Sequence, residues 1–198
     1  MNIGITGSIA CGKSTVSDYL KEKGYTIIDA DKLGHVALTS EDVKRRLSET
    51  FGANILVNNE ISREVLGKLV FGNDNNLKKL NNIIHPKIKE LILKLQEEHE
   101  NEDLVFLDIA LLYEANFVDL VEKVAVVYVD EDVQLERLMT RNFLSKEEAL
   151  KRIESQMSPQ EKASLGDFVI NNSYSKEDTF QQIDEILEKL KRGDKQND

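Results

Sequence analysis

Gly7-Ser8-Ile9-Ala10-Cys11-Gly12-Lys13-Ser14 constrains this chain more than any other stretch. It spells G-x-x-x-x-G-K-[ST], directly after a β run from Asn2 to Thr6 and at the head of a helical pattern from Lys13 to Lys23. The glycines let the backbone curl until successive N–H groups point inward, where phosphate oxygens satisfy them. The helix that follows adds the positive end of its dipole. Lys13 can then reach the β- and γ-phosphates of a nucleotide, and the Ser14 hydroxyl can ligate Mg2+. Gly24 ends the helix, and Tyr25 to Ile28 makes a second β run closed by Asp29-Ala30-Asp31. Strand, helix and strand in so short a span make a βαβ unit, so the sheet begins parallel.

The rest of the chain must complete that sheet. Leu104 to Ile109, Val124 to Val129 and Asp167 to Ile170 read as three more strands, the first two as continuous apolar runs typical of buried parallel strands. Helical patterns cover Val133 to Arg141, Lys146 to Gln156 and Lys176 to Lys191. Ser145-x-x-Glu148 and Ser175-x-x-Asp178 spell capping boxes. The middle, from Leu33 to Glu100, reads as helical without a convincing strand, and His85-Pro86 is expected to kink or divide its longest helix. The tail Arg192 to Asp198 is polar and expected to fray. The expected architecture is therefore α/β, a five-stranded parallel sheet flanked by helices with a helical insertion.

A chain of 198 residues fits one domain with an inserted subdomain, on a prior of ~150 residues per domain. Hydrophobic residues make up 40%, enough for a real core, and two prolines exclude a proline-rich or collagen-like chain. No apolar run approaches the ~18 residues of a membrane span. The lone Cys11 excludes a disulfide framework, and the opening Met1-Asn2-Ile3-Gly4-Ile5 lacks the marks of a secretory leader, so a cytoplasmic protein is expected. The formal charge of −10 disfavours a nucleic-acid partner but leaves room for a locally basic pocket, since salt screens distant charges over ~8–10 Å. Nothing demands a membrane, an obligate protein partner or more than a monomer.

Several residues near strand ends suit phosphate chemistry, each with a plainer alternative. Asp29 and Asp31 are two apart, on one side of an extended chain, where a carboxylate could take a proton from an acceptor hydroxyl. The alternative is helix capping, with Asp31 before Lys32-Leu33. Asp108 closes the run Leu104 to Leu107, a position that can hold Mg2+ through water, or simply form a turn. Arg137 and Arg141 are i, i+4 neighbours that a triphosphate between them would reconcile; the alternative is a solvated face paired with Glu136 and Glu148. Arg152 could join them. Cys11 at a helix start could be a reactive thiol or a small loop residue. His85 could be functional or a structural histidine at a kink.

Taken in order, these pieces resemble the dephospho-CoA kinase family. The residues that carry the resemblance are I-G-I-T-G-S-I-A-C-G-K-S-T at 3–15, I-I-D-A-D at 27–31, F-G-A-N-I at 51–55 and I-S-R-E-V-L-x-x-L-V-F at 61–71. L-N-N-I-I-H-P at 80–86, L-D-I-A-L-L-Y-E at 107–114, the Arg137/Arg141 helix and V-I-N-N at 169–172 complete the set. Ala110 stands where the family commonly has proline, Ser8 where glycine is frequent, and Cys11 replaces a common Ser or Ala.

The resemblance implies a P-loop kinase fold with a lid at about 137–160. The nucleotide core would be 1–32 and 101–198, with 33–100 a helical CoA-binding insertion. It implies transfer of the ATP γ-phosphoryl to the ribose 3′-hydroxyl of dephospho-CoA, the final step of coenzyme A synthesis, with ATP as co-substrate and Mg2+. Asp31 becomes the catalytic base, while Lys13, Arg137 and Arg141 act on the transferring group. Gly7, Ala10, Cys11, Gly12, Lys13, Ser14, Thr15 and Asn172 hold the nucleotide, and Ser14 the metal. Asp31, Arg63, His85, Tyr113 and Glu114 face the acceptor. Two rivals remain in view. A kinase for another small acceptor would share the core and lid. A GTP-binding switch finds D-x-x-G at Asp31 to Gly34, but too early in the chain and with no N-K-x-D to read guanine.

Overall fold

Five apolar runs assemble the sheet that positions everything else. The chain opens with β1 (Asn2–Thr6), α1 (Lys13–Glu22) and β2 (Thr26–Asp29). Then come α2 (Ala30–Ala37), α3 (Glu41–Phe51), the short strands β3 (Leu56–Val57) and β4 (Glu60–Ile61), α4 (Arg63–Val70) and the long α5 (Asp74–Glu98). The chain returns to the sheet with β5 (Val105–Asp108) and β6 (Lys123–Tyr128). It continues through α6 (Glu131–Asn142), α7 (Lys146–Glu154) and α8 (Pro159–Leu165) to β7 (Phe168–Asn171) and α9 (Lys176–Asp194). The computed structural model describes residues 1–194; of the tail expected to fray, 192–194 continue α9, and the rest lies outside the described residues.

Two units emerge, Met1–Ile28 with the segment from Asn101 onward, and Asp29–Glu100. The first division falls at 28/29, at the end of β2. The expected boundary, 32/33, lies inside α2, which packs on α5 and so goes with the helical unit.

In the first unit the five-stranded parallel sheet has the order β2-β5-β1-β6-β7. β1 is central: Ile3 stands opposite Phe106 of β5, and Gly4 opposite Val124 of β6. The strand order reverses there, so a crevice opens beyond the C-terminal end of β1, where the glycine-rich loop begins. The three inner strands β5, β1 and β6 are largely apolar and buried, as strands covered on both faces are. On one face Ile3, Ile5, Phe106, Val127 and Ile170 pack against Val16 and Leu20 of α1 and Ile183 and Leu187 of α9. Tyr19 and Phe180 stack at 4.0 Å, and Lys23 pairs with Asp184 at 2.9 Å, so α1 is fastened to α9 along its length.

The second unit has its own core of Val43, Leu47, Ile55, Leu66 and Ile83, drawn from α3, α4, α5 and the segment between them. Two of its features bear on the expectations. Leu56–Val57 pairs antiparallel with Glu60–Ile61, so the insertion is not purely helical. The turn is Asn58-Asn59, both at positive φ (52° and 63°), the backbone that a two-residue hairpin of right-handed twist requires and that asparagine tolerates. Of the two expectations for Pro86, the division does not occur: α5 runs without interruption from Asp74 to Glu98. One backbone rung is lost at the proline. The buried Ile83, Ile88 and Ile92 on either side hold the helix together through tertiary packing.

A third capping box, Ser158 with Glu161, opens α8, a helix absent from the sequence reading, with Pro159 at its first turn. Among the described residues no helix is long and apolar enough to cross a membrane.

Candidate active site

The loop after β1 keeps its shape because two glycines leave room that side chains would fill. A Cβ on Gly7 would stand 2.5 Å from Cys11 Sγ and 2.7 Å from the Val127 carbonyl. Gly12 has φ +83° and faces the side-chain amide of Asn172 so closely that a Cβ would overlap it. Inside the loop the Cys11 N–H donates to the Ser8 carbonyl at 3.2 Å, and Ala10 sits at φ +61°. α1 begins at Lys13 with no side-chain cap; the Thr15 N–H turns back to the Gly12 carbonyl at 3.0 Å, and the positive end of the helix faces the loop, an arrangement that suits an anion.

Four side chains far away in sequence hold this loop. Gln156 Oε1 accepts from the Ile9 N–H at 2.9 Å, and Gln134 Nε2 donates to the Ile9 carbonyl at 2.8 Å. The Ser8 hydroxyl donates to the Met157 carbonyl at 2.7 Å. Asn172 Nδ2 donates to the Cys11 carbonyl at 2.8 Å, and its Oδ1 accepts from Thr179 Oγ1 at 2.9 Å. Asn172 therefore serves the loop through its amide while also lining the cleft described below. The fourth clamp, Lys162, acts less directly. It is fully buried, and its ammonium donates to the Ala110 carbonyl at 2.7 Å and pairs with Glu114 at 3.0 Å. Gln134, Gln156 and Lys162 were not singled out in the sequence. Gln134 does share a helical face with Arg137 and Arg141, which is the one local hint of its role.

Lys13 Nζ is ion-paired to Asp108 at the end of β5, and Ser17 Oγ donates to the other oxygen of that buried carboxylate at 2.6 Å. Asp108 is thus tied to α1 at two points. Burial pushes the Cys11 thiol up, against the lowering effect of its contacts with Lys13, and the side chain packs within the core. Of its two alternatives, burial favours Cys11 as a small loop residue, and its backbone carbonyl takes the Asn172 amide.

A cleft of about 650 Å3 opens at the loop. Ala10, Gly12, Ser14 and Thr15 line one side and Glu136, Arg137 and Arg141 of α6 another, with Asn172 and Tyr174 also in the wall. Arg137 Nη1 lies 3.9 Å from a Cβ built on Gly12, so its guanidinium reaches the loop itself. Two cations one helical turn apart repel unless an oxyanion lies between them, and a guanidinium grips phosphate oxygens in pairs.

The remaining expected site residues are distributed over both units. Tyr113 and Glu114 follow β5 in the first unit and do not line this cleft. The Tyr113 hydroxyl is buried with no hydrogen-bond partner among the described residues, and burial raises its pKa. Asp31, Arg63 and His85 belong to the second unit. Asp29 and Asp31 do not share an extended chain. Asp29 is the N-cap of α2, accepting from the Lys32 N–H at 3.0 Å, which leaves Asp31 exposed in the first turn and free of capping duty. Arg63 is exposed at the start of α4, and His85 is half-buried in α5, where desolvation lowers its pKa.

A parallel sheet of this order, with a glycine-rich loop at its switch point and two arginines in the cleft beside it, is the fold of the P-loop kinases, which are phosphotransferases. Comparison narrows the class. The sequence profile of dephospho-CoA kinases matches residues 1–178. The dephospho-CoA kinase of Carboxydothermus hydrogenoformans is 49% identical over 193 residues, 96% of this chain and 94% of that protein. The solved dephospho-CoA kinase from Campylobacter jejuni is 33% identical and superposes with a TM-score of 0.72, covering 98% of each chain. The solved protein TT1252 from Thermus thermophilus, also 33% identical, superposes at 0.82 over 96% of this chain and 97% of its own. The chain belongs to the dephospho-CoA kinase family.

Proposed function

We propose that this chain carries out its family's reaction, transfer of the ATP γ-phosphoryl to the ribose 3′-hydroxyl of dephospho-CoA, with the following division of labour. The backbone of Gly7 to Thr15 cradles the ATP phosphates. Lys13 exchanges its Asp108 partner for a phosphate oxygen. Arg137 and Arg141 neutralise charge on the transferring group, where most of the catalysis of phosphoryl transfer resides. Mg2+ favours oxygen donors and is held through one or two carboxylates with substrate phosphates. The Ser14 hydroxyl and Asp108 are donors of that kind and would hold it. When bound, it supplies neutralisation of the β- and γ-oxygens.

Asp31 acts as the base that receives the acceptor proton, a task that the capping by Asp29 leaves it free to perform. Arg63, His85, Tyr113 and Glu114 serve the acceptor, with 33–100 as its binding insertion. The unpartnered Tyr113 hydroxyl supports that assignment. The stretch at about 137–160 serves as the lid that excludes water. The chain works as a monomer in the cytoplasm.

The observation that carries the reading is the single cleft lined by both the glycine loop and the α6 arginine pair. ADP release measured across acceptors, with mass spectrometry to locate the added phosphate, tests it. Turnover with dephospho-CoA and phosphate on the 3′-hydroxyl is expected. Turnover with a nucleoside monophosphate and none with dephospho-CoA would overturn it.

A further inference from the structure

We propose that Lys162 is a positioning residue of the phosphate site, acting through the turn between α7 and α8. The proposal rests on the phosphate-loop reading above.

A buried ammonium costs several kcal/mol unless its partners are well placed. Lys162 is 0% exposed, and its two partners are the Ala110 carbonyl and Glu114 Oε1. Both lead to the loop. The Ala110 carbonyl also accepts from Thr6 Oγ1 at 3.0 Å, on the residue just before Gly7. Glu114 Oε1 also accepts from the Met157 N–H at 3.3 Å. The Met157 carbonyl takes the Ser8 hydroxyl, and the adjacent Gln156 takes the Ile9 N–H. Two successive residues of the α7–α8 turn thus grip two successive residues of the loop, and Lys162 with Glu114 fixes where that turn sits.

A charge pair with only a packing role is replaceable by neutral residues at little cost or with a gain in stability. Here the pair anchors the scaffold of a backbone cradle, and a cradle misplaced by ~1 Å loses ~100-fold in rate. Glu114 thereby acts on the nucleotide side through the loop, in addition to any acceptor role.

Three full-length variants test this. Lys162→Met with Glu114→Gln removes both charges and strands neither. Lys162→Arg keeps the cation. Ser8→Ala with Gln156→Ala cuts the link at the loop and leaves the buried pair intact. For each, circular dichroism gives the folded fraction, calorimetry the ATP affinity, and steady-state kinetics kcat and KM per folded molecule. The charge-deleted variant is expected to lose about 10-fold or more in kcat and ATP affinity, with Lys162→Arg restoring most of both. Ser8→Ala/Gln156→Ala should show the same kinetic loss at near-parental stability. Parental kcat and ATP affinity per folded molecule in the charge-deleted variant would overturn the proposal. If that variant does not fold, the same parental values in Ser8→Ala/Gln156→Ala overturn it. Should the unsubstituted protein bind ATP but not phosphorylate dephospho-CoA, the functional reading fails, and ATP affinity still decides the role of Lys162.

Discussion

Gly12→Ala places a methyl group where the loop has no space for one. Two costs can be separated. The first is backbone: φ is +83°, and a left-handed non-glycine residue costs ~1–2 kcal/mol. The loop tolerates this at Ala10, so strain alone is survivable. The second is the displaced Asn172 amide, whose bond to the Cys11 carbonyl is buried; leaving such groups unpaired costs ~1–3 kcal/mol. Together these make about 2–5 kcal/mol, or roughly 4–20 °C in Tm at ~2–4 °C per kcal/mol.

Gly24→Ala is the internal control, since its φ is +89° and nothing lies within 4 Å of a built Cβ. It should show the strain alone, ~1–2 kcal/mol. Urea denaturation reads the two stabilities, and calorimetry with ATP reads the loop. Gly12→Ala is expected to be the less stable and to lose ATP affinity, while Gly24→Ala keeps it. Equal destabilisation with ATP binding intact in both would refute the argument that Asn172 holds the loop through Gly12.

Asp31→Asn should lower kcat by ~100-fold or more while ATP affinity and Tm stay near parental, because Asp31 is exposed and caps nothing; a near-normal rate removes it from the base role. At the β3–β4 turn, Asn59→Gly should raise the urea midpoint and Asn59→Val lower it, by ~1–2 kcal/mol for the latter, since φ there is +63°; no change in either would contradict the turn assignment. The hydrogen-bonded Lys23 holds the Asp184 carboxyl below its usual range. A depressed folded pKa stabilises above the unfolded value of ~3.9 and is lost as pH falls through the folded one. The Tm gap between the protein and Asp184→Asn should therefore hold steady above pH ~5 and close in more acid solution; a gap unchanged at pH ~3 would show that the α1–α9 ion pair contributes nothing.

What could be read from the sequence was written locally. The loop declares itself because its glycines, Lys13 and Ser14 are contiguous and follow an apolar strand. Ser145 with Glu148 and Ser175 with Asp178 mark helix starts for the same reason, and both pairs form their capping bonds. Asn58-Asn59 and Ser158-Pro159-x-Glu161 are equally local signals of a turn and a helix start. Pro86 left a kinked helix and a divided one both open, because the packing that outweighs one lost rung is supplied only by the folded unit. Lys162, Gln134 and Gln156 are a different case. A lysine four residues past a serine carries no sign that its partners are Ala110 and Glu114, about 50 positions upstream. Their function exists only in tertiary space.

The central claim is that the curled backbone of residues 7–15 grips a nucleotide's phosphates. Calorimetric titration of ATP into the full chain with magnesium tests it most directly, with Lys13→Ala measured beside it. Saturable heat from the unsubstituted protein and a large loss of affinity in Lys13→Ala are expected. No heat from the unsubstituted protein at millimolar ATP, or equal affinity in both, would contradict the account.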